Sequence, residues 1–481
     1  MTKSYVEWII SLIIGLMMLT GCGIVSGSPL PLSEKNVNMI FVITPDLAND
    51  PLGDINPETA NLNNQGLQRS LLMGTYLKQQ LLGTGNVTGI YTLEPMTHLQ
   101  TVNNYPDMAA MGFIQQFALL NQKTIRNTTG NSFPLNAGYA PGDVPTGVAE
   151  PSPFVPPAQG LAFNDAQGNN AALLTGILDA EKPGFYVFSA PWETVSDLMT
   201  SITTAKGYNL TLPTSYEGPN IVYVITVTSA GDASLATLDS RLAPNTTYPD
   251  LPSSVASDSC TLQTPFSYNR TAGVDDVTIP ANINTNETVY LIRHAEAHPS
   301  GSFEDGNYVG AGQWRALALP NFLPGALVGQ RSPTKVYSID PAQSFPIYNV
   351  SYVRPSLTVL PYAIANNLPL NLAASFPLGF DVKTEKAAEN ASNFFFTNSA
   401  GVNLSDQTVL VAWEHDHFPV LIKYLIDSYG GTVPAPNLTW PDDDYDTIWT
   451  VKLDSMGNLT VDNARCEGID STKLPVDAPQ F

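Results

Sequence analysis

A long internal repeat is the sequence feature that most constrains the fold of this 481-residue chain. Five short segments recur in the same order, offset by about 250 residues at the first pair and by about 225 at the last. Single apolar strands resemble one another by chance, but five collinear matches with nearly constant spacing predict two copies of one structural plan. The matched segments are 39–43 with 289–292, 66–70 with 312–316, 90–95 with 336–341, 186–193 with 409–414, and 222–225 with 448–451.

Both copies have the sequence pattern of an α/β fold. Short apolar runs of buried-strand type alternate with helical patterns, such as those at 65–82 and 418–429. This alternation favours an α/β sandwich with a mainly parallel sheet in each copy. The predicted organisation is a first domain at 36–241, a Pro-, Ser-, Thr- and Asn-rich linker at 242–285, and a second domain at 286–481.

The N-terminus indicates export from the cytoplasm. Lys3 precedes an apolar run at 9–19, which has the length of a signal-peptide core and is short for a membrane span. The Leu-Thr-Gly-Cys22 sequence that follows resembles a bacterial lipobox, which predicts a signal peptide at 1–22 and lipidation of Cys22. We therefore expect an extracytoplasmic, lipid-anchored protein of the bacterial cell envelope, in the periplasm or at the cell surface. An ordinary signal peptide with an incidental cysteine is the alternative interpretation.

The charge balance and the cysteines limit the classes of partner and ligand. The chain has 21 basic and 43 acidic residues, and its net charge of −22 argues against nucleic acid as a partner. A small phosphorylated substrate stays compatible with this charge, because a local arginine cluster can override the global field. Cys260 and Cys466 can pair in an oxidising compartment, and the sequence leaves that pairing open. Two such cysteines without a histidine-rich cluster predict no structural zinc site.

Two short histidine clusters in the second copy are the strongest candidates for chemistry. One contains Arg293, His294 and Glu296, and the other is the run from Glu414 to His417. Each cluster directly follows an apolar strand of the repeat. Ligands bind beyond the carboxyl ends of the strands in open α/β sheets, so we expect both clusters to line one crevice.

These residues resemble the motifs of a known family. The sequence around Arg293-His294-Ala-Glu296 resembles the Arg-His signature of the histidine phosphatase (phosphoglycerate mutase-like) superfamily, in its RHAE variant. Later segments resemble, in order, the first helix, the second strand, the second-arginine segment and the second-histidine strand end of that family. These segments are 312–316, 337–338, 354–358 and 411–415, and the resemblance covers about residues 286–455. It implies two tandem phosphoglycerate mutase-like α/β/α sandwiches, and a phosphomonoesterase that uses a phosphohistidine without a metal or cofactor.

The resemblance assigns a role to four side chains. His294 is the expected nucleophile, and Arg293, Arg354 and His415 form the expected phosphate pocket. The chemistry suits these residue types, since a histidine can attack phosphorus and form a covalent intermediate. Arginine forks match the oxygens of phosphate, over which the transferred group spreads its negative charge. Arg315 lies on the helix after the first motif, and we interpret it as structural.

The proton donor for the leaving group stays open at the sequence level. One branch of the superfamily places an acid directly after the second histidine, so Asp416 is the first choice. Another branch takes a glutamate from a helical insert, and several glutamates lie in the relevant segments. The alternative donors are Glu385, Glu296, Glu304 and Glu414.

The first copy lacks the residues that would carry this chemistry. Thr44 and Pro45 stand at the positions of Arg293 and His294, and the copy has no arginine or histidine at the other pocket positions. The positions of Arg354 and His415 hold Asp107 and Thr194. We therefore expect a catalytically inactive first domain and a second domain that acts on a small phosphorylated substrate.

Two other functions compete with this interpretation. A non-catalytic binding or scaffold lipoprotein would retain the fold and lack turnover in both copies. A metal-dependent hydrolase would use a cluster of histidines and a glutamate, although the spacing lacks the helical context of a catalytic zinc motif. The candidate metal ligands would be His294, Glu296, His298, His415 and His417.

Overall fold

The computed structural model describes most of the chain. The described residues are 30–47, 49, 53–93, 95, 105–129, 162–163, 170–253, 265–297, 306–341, 344–345, 350–373, 386–431 and 438–481. The predicted signal peptide with Cys22, together with Cys260, His298, Glu304 and Glu385, lies outside them. Cys466 is disulfide-bonded. Within the described ranges, none of the helices combines the length and the apolar character needed to cross a membrane.

The first half contains a six-stranded sheet with the strand order β3-β2-β4-β1-β5-β6. The first four strands of this order run parallel, and the last two are antiparallel to their neighbours. The strands are β1 (Val37–Ile43), β2 (Val87–Leu93), β3 (Ala162–Phe163), β4 (Gly184–Ala190), β5 (Ile221–Val227) and β6 (Ala233–Asp239). The helices are α1 (Asn64–Tyr76), which continues as a π-helical segment (Leu77–Leu82), α2 (Ala109–Thr129), α3 (Asn170–Asp179) and α4 (Trp192–Lys206).

The second half contains a seven-stranded sheet with the order β12-β9-β13-β8-β14-β15-β7. Its first four strands also run parallel, and the remaining three are antiparallel. The strands are β7 (Ser267–Arg270), β8 (Glu287–Arg293), β9 (Lys335–Ile339), β12 (Leu370–Ala373), β13 (Thr408–Trp413), β14 (Thr447–Leu453) and β15 (Leu459–Cys466), and β10 (Ser344–Phe345) pairs separately with β11 (Val350–Ser351). The helices are α5 (Gly310–Ala326), α6 (Arg354–Ala365), α7 (Lys386–Phe396) and α8 (His417–Ser428).

The two sheets have equivalent strand orders. The sequence repeat pairs β1 with β8, β2 with β9, β4 with β13 and β5 with β14, and these four strands have the same order in both sheets, β2-β4-β1-β5 and β9-β13-β8-β14. The flanking strands β3 and β6 occupy the same places as β12 and β15, and β7 has no counterpart among the described strands of the first sheet. The predicted fold class, α/β with two tandem sandwiches and mainly parallel sheets, is confirmed. A common origin of the two halves stays a prediction, now accompanied by a shared topology.

The edge strand β7 lies inside the segment that the sequence assigns to the linker. It pairs with β15 over 267–270 and 459–462. The physical reason is aromatic packing, since the ring of Phe266 lies 5.2 Å from that of Trp449 in the neighbouring part of the sheet. Part of 242–285 therefore belongs to the second sheet rather than to a connector.

Helices cover both faces of the second sheet. The even-numbered residues Tyr290 and Ile292 of β8 pack in one apolar cluster with α5 and α6, and the odd-numbered Val289 and Leu291 pack with α7 and α8. This division follows from the alternation of side chains along a strand. The first of these clusters continues into the first half, so the two halves share one apolar core.

Polar contacts also join the two halves. Gln115 on α2 exchanges two hydrogen bonds with Asn307, at 2.9 and 3.2 Å, and both side-chain amides are buried. Gln116 accepts a hydrogen bond from Gln313 and donates one to the carbonyl oxygen of Pro479 at 2.6 Å. Because buried amides need partners, these pairs fix the relative position of the two halves.

Candidate active site

Both histidine clusters lie at the carboxyl ends of adjacent parallel strands. β8 and β13 are paired in register up to Arg293 and Trp413, and the backbone N–H of His294 donates to the carbonyl oxygen of Trp413 at 3.0 Å. The chain therefore leaves the sheet at the same level in both strands. This places the two clusters in one crevice, where α/β sheets bind their ligands.

His294 presents an unprotonated nitrogen to this crevice. Its ring Nδ1 donates to the carbonyl oxygen of Ala295 at 2.8 Å, so the lone pair of the neutral ring is on Nε2. Nε2 has no hydrogen-bond partner of good geometry among the described residues. Burial, and next the charge of Arg354, lower the pKa of His294 to about 4. The side chain is therefore neutral at pH 7, which is the form that can act as a nucleophile.

Arg293 is held under a loop that precedes β14. Its Nη1 donates to the carbonyl oxygens of Asp442 and Asp444, at 2.5 and 3.3 Å. Its guanidinium carbon lies 3.8 Å from the centre of the Tyr445 ring. These contacts fix a permanent cation next to His294, although only 5% of Arg293 is exposed.

Arg354 begins α6, and its guanidinium lies over the ring of Tyr352, at 4.5 Å from the ring centre. The backbone N–H of Arg354 donates to the carbonyl oxygen of Gly306 at 3.0 Å. The hydroxyl of Thr358, one turn along the helix, donates to the carbonyl oxygen of Arg354 and accepts from the N–H of Ala295. The turn that carries His294 and the helix that carries Arg354 are thus connected by one side chain.

Glu414 lies at the centre of the site, a position that the sequence did not favour over the other carboxylates. Its Oε1 accepts a hydrogen bond from Nδ1 of His415 at 2.6 Å, and its Oε2 accepts one from the hydroxyl of Tyr352. Oε2 also lies 3.4 Å from Nε2 of His294 and 3.9 Å from Nη2 of Arg354. Burial favours the neutral acid, but His294, His415 and Arg354 outweigh it and hold the pKa of Glu414 well below its usual range.

His415 adds a titratable cation to the site. Burial would lower the pKa of His415, but the hydrogen bond and the charge of Glu414 outweigh it and raise the pKa above its ordinary value. Nε2 of His415 lies 3.2 Å from Oδ1 of Asp442 and 3.6 Å from Oδ1 of Asp416. The Asp416 side chain, which is the first-choice proton donor, is 58% exposed, whereas that of Glu414 is 13% exposed.

Glu296, another candidate donor, points into a separate buried ion cluster. Its Oε1 accepts from Nε of Arg315 at 2.9 Å, and Nη1 of Arg315 donates to Glu467 at 2.6 Å and lies 3.5 Å from Asp446. Arg315 is fully buried, which agrees with the structural role expected for it. Burial raises the pKa of Glu467 to about 8, since one arginine neutralises only part of three carboxylates. The cluster anchors the start of β14, next to the loop that holds Arg293.

The equivalent crevice of the first half has a different chemistry. Asp46 follows β1 there and accepts from the backbone N–H of Asn49 at 2.9 Å. The side chain of Asn49 donates to Glu193, the counterpart of Glu414, at 2.7 Å. Asp107 accepts from the N–H of Ala109 at the start of α2. Among the residues that the structure describes here, carboxylates and amides replace the arginines and histidines of the second crevice, and these groups would not neutralise a phosphate.

Two of the five residues proposed for a metal site, His294 and His415, lie in the same crevice, and His298 lies outside the described residues. Glu296 is bound to Arg315, and the ring of the buried His417 packs on Trp413 with 4.4 Å between ring centres. Glu414, His415 and Asp416 have ligand atoms within 4.8 Å of one another. Glu414 and His415 are already hydrogen-bonded to each other, and the cationic Arg354 lies beside them, so we assign no metal there.

One signal in the sequence pointed to Glu414. It precedes His415 directly at the end of β13, and the Trp-Glu pair is present at the equivalent strand end of the first copy. A carboxylate at the strand end that also carries the second histidine lies close to the crevice. The sequence alone could not show that Glu414, rather than Asp416, turns towards His294.

No family model and no curated protein matches the chain. The solved structures to which it is similar include a phosphoglycerate mutase of Plasmodium falciparum, with 13% identity and a TM-score of 0.22 over 37% of this chain and 89% of that one. A mycobacterial glucosyl-3-phosphoglycerate phosphatase in complex with inorganic phosphate has 12% identity and a TM-score of 0.23, over 34% and 89% of the two chains. Bacillus stearothermophilus YhfR has 12% identity and a TM-score of 0.23, over 36% and 94%. TM-scores this low do not establish a shared fold, so the functional conclusion depends on the geometry of the site.

Proposed function

We propose that the second half is a phosphomonoesterase that acts through a phosphohistidine on His294. The observation that carries this proposal is the buried, neutral Nε2 of His294, which lies in one crevice with three cationic or cationisable groups. These groups are Arg293, Arg354 and His415. A nucleophile that approaches a phosphate dianion should itself be uncharged and be surrounded by positive charge, and the site meets both conditions.

The reaction has two displacements. The Nε2 lone pair of His294 forms a bond to phosphorus, and the bond between phosphorus and the ester oxygen breaks. The ester oxygen keeps the electron pair and takes a proton from a carboxylic acid of the site, which releases an alcohol. Water then attacks phosphorus, a carboxylate takes the proton of the water, and the pair of the N–P bond returns to Nε2. The carbonyl oxygen of Ala295 holds the Nδ1 proton throughout both steps.

We further propose that the enzyme acts outside the cytoplasm on a small phosphorylated substrate, anchored to the cell envelope by a lipid on Cys22. The supporting observations are the lipobox-like sequence and the acidic net charge of −22, which disfavours polyanionic partners.

Phosphate release tests the catalytic proposal. The full-length protein is purified in detergent and assayed with an aryl phosphate and a panel of natural esters, in the presence of a chelator. We expect turnover that persists with chelator and is lost in His294→Ala. His98→Ala, which removes the one histidine of the first copy, is the matched control and keeps wild-type turnover. Turnover that survives in His294→Ala, or that requires a metal, would contradict the mechanism.

A second candidate function is a non-catalytic binding or scaffold protein. One observation favours it, since the carboxylate of Glu414 already contacts the groups that would bind phosphate. Folded protein that releases phosphate from no ester, and that carries no phosphate on histidine after incubation with an ester, would favour this function.

A further inference from the structure

The phosphate pocket contains an anion that belongs to the protein. The carboxylate of Glu414 accepts hydrogen bonds from His415 and Tyr352, and it lies 3.4 Å from Nε2 of His294 and 3.9 Å from Nη2 of Arg354, among the groups that we propose to bind phosphate. Only 13% of its side chain is exposed, so water screens its charge poorly. Four segments contribute the charged and titratable groups around Glu414. These groups are Arg293 and His294 at the end of β8, Tyr352 and Arg354 at the start of α6, His415 and Asp416 in the turn before α8, and Asp442 and Tyr445 in the loop before β14.

An ionised Glu414 and a phosphate dianion cannot share these donors at low cost. Both are acceptors for the same N–H and O–H groups, and like charges a few ångströms apart in a buried site repel strongly. Two carboxylates in one site resolve the same conflict by binding a proton. Before substrate arrives, the surrounding cations keep the pKa of Glu414 low and the group ionised. A bound phosphate neutralises that positive charge, so the pKa of Glu414 rises and its protonated form is favoured.

We propose that Glu414 takes up one proton when a phosphate ester binds, and that this proton is the one donated to the leaving oxygen. The inference rests on the proposed function, because it concerns the same pocket. It assigns the acid role to Glu414 instead of Asp416. It also couples two binding events, because a dianion enters the pocket together with a proton.

The proton balance of the first displacement is closed. Free enzyme with ionised Glu414, a phosphate ester dianion and one proton from solvent give a complex with neutral Glu414. When Nε2 of His294 attacks phosphorus, the P–O bond breaks towards the ester oxygen, which takes the Glu414 proton and leaves as the alcohol. Glu414 is again a carboxylate, and in the second displacement it accepts a proton from the attacking water. The free phosphate then leaves, and Glu414 returns to its contacts with His415 and Tyr352.

Asp416 lacks the geometry for this coupling. Its side chain is 58% exposed and lies 3.6 Å from Nε2 of His415, whereas the side chain of Glu414 is 13% exposed and lies 3.4 Å from Nε2 of His294. An exposed carboxylate is screened by water and would respond weakly to a phosphate at His294. The position of the two carboxylates relative to His415 therefore distinguishes their roles.

The first experiment measures binding without turnover. Sulfate is the probe, because it stays a dianion over the pH range used and carries no proton of its own. Calorimetry on the full-length protein at pH 6, in two buffers of different ionisation enthalpy, gives affinity and proton uptake together. Wild-type protein is expected to take up about one proton per sulfate and Glu414→Gln close to none, while the variant binds sulfate about tenfold or more tightly. Glu414→Ala provides the same test should the glutamine variant fail to fold.

The second experiment varies the leaving group. kcat/KM is measured for an alkyl phosphate, whose alkoxide needs a proton, and for a nitrophenyl phosphate, whose phenolate does not. Glu414→Gln is expected to lose about 10²- to 10⁴-fold on the alkyl ester and less than about tenfold on the aryl ester. Asp443→Asn makes the same change of charge on an exposed neighbour in the loop before β14, and it leaves both readouts at wild-type values.

The outcomes distinguish a failure of the role assigned to Glu414 from a failure of the proposed phosphomonoesterase function. Glu414→Gln that binds sulfate no more tightly than wild type, with the same proton uptake, overturns the inference. So does a leaving-group-dependent loss in Asp416→Asn rather than in Glu414→Gln. Turnover retained in His294→Ala overturns the proposed function alone, because sulfate binding still reports on Glu414. Wild-type protein that binds no sulfate between about pH 5 and 8 contradicts both.

Discussion

Replacing Glu467 by glutamine should stabilise the protein at alkaline pH, although it removes a buried ion-pair partner of Arg315. Glu467 is 1% exposed and accepts from Nη1 of Arg315 at 2.6 Å. Breaking a buried ion pair usually destabilises a protein by about 3–5 kcal/mol. Here three carboxylates surround one arginine, so the deletion removes an excess charge and leaves Arg315 with Glu296 and Asp446.

The magnitude follows from the pKa of Glu467. Burial raises this pKa to about 8, above the ordinary 4.5, so the folded chain holds a proton that the unfolded chain has lost. Stability from this group is complete below pH 4.5 and is lost as pH rises through 8. At about 1.36 kcal/mol per pH unit, the full loss is about 5 kcal/mol. Rearrangement and water entry reduce such figures, so we expect the variant to be more stable by about 2–4 kcal/mol at pH 8.5.

Denaturant unfolding at two pH values checks this prediction. At pH 4.5 a protonated Glu467 and a glutamine are nearly equivalent, so wild type and Glu467→Gln should have similar unfolding midpoints. At pH 8.5 the midpoint of the variant should be higher. Glu34→Gln, which removes an exposed carboxylate, is the control and should follow wild type at both values. A variant that is less stable than wild type at pH 8.5 would refute the reasoning.

Three further predictions concern the candidate site. Arg354→Lys keeps the charge but loses the planar fork, so kcat/KM should fall about 100-fold while Arg331→Lys, on the surface, changes little; phosphate release measures both. Gln115→Ala leaves Asn307 without its partner in the first half, so KM should rise about fivefold, the equivalent of about 1 kcal/mol, with kcat nearly unchanged. A loss of stability alone would instead lower the amount of active protein and hence the measured kcat. Because the pKa of His294 is lowered to about 4, this side chain should stay neutral, and kcat/KM should not fall through its protonation, until the pH drops below about 4. A decrease of kcat/KM that begins near pH 6.5 in the pH-rate profile would contradict the assignment.

The architecture could be predicted from the sequence because it depends on local pattern and on order. The apolar runs at 37–43, 184–190, 287–293 and 408–413 are strands buried along their whole length, which is the reading that a continuous apolar run favours. Strand β7 escaped the prediction, because a four-residue edge strand with mostly exposed side chains has neither length nor periodicity. Its pairing depends on a distant aromatic partner, Trp449.

The site was predictable at the level of strand ends and unpredictable at the level of side-chain direction. Arg293, His294 and His415 follow strands that the pattern identifies, so their meeting in one crevice follows from topology. The choice among Glu414, Asp416 and Glu296 depends on rotation of the chain within single turns. It was decided by contacts far apart in sequence, such as that of Glu296 with Arg315.

The first half acts on the site through the position of Arg354, not through residues of its own crevice. Gln115 on α2 holds Asn307, whose neighbour Gly306 accepts hydrogen bonds through its carbonyl oxygen from the N–H groups of Val353 and Arg354, at 2.9 and 3.0 Å. Gly306 has a φ of +75°, a conformation that glycine adopts readily and few other residues do, so a side chain at this position would disturb the direction of its carbonyl. The buried amide pair between the halves fixes Asn307, so the first half contributes to the position of Arg354, the arginine that we propose to bind phosphate.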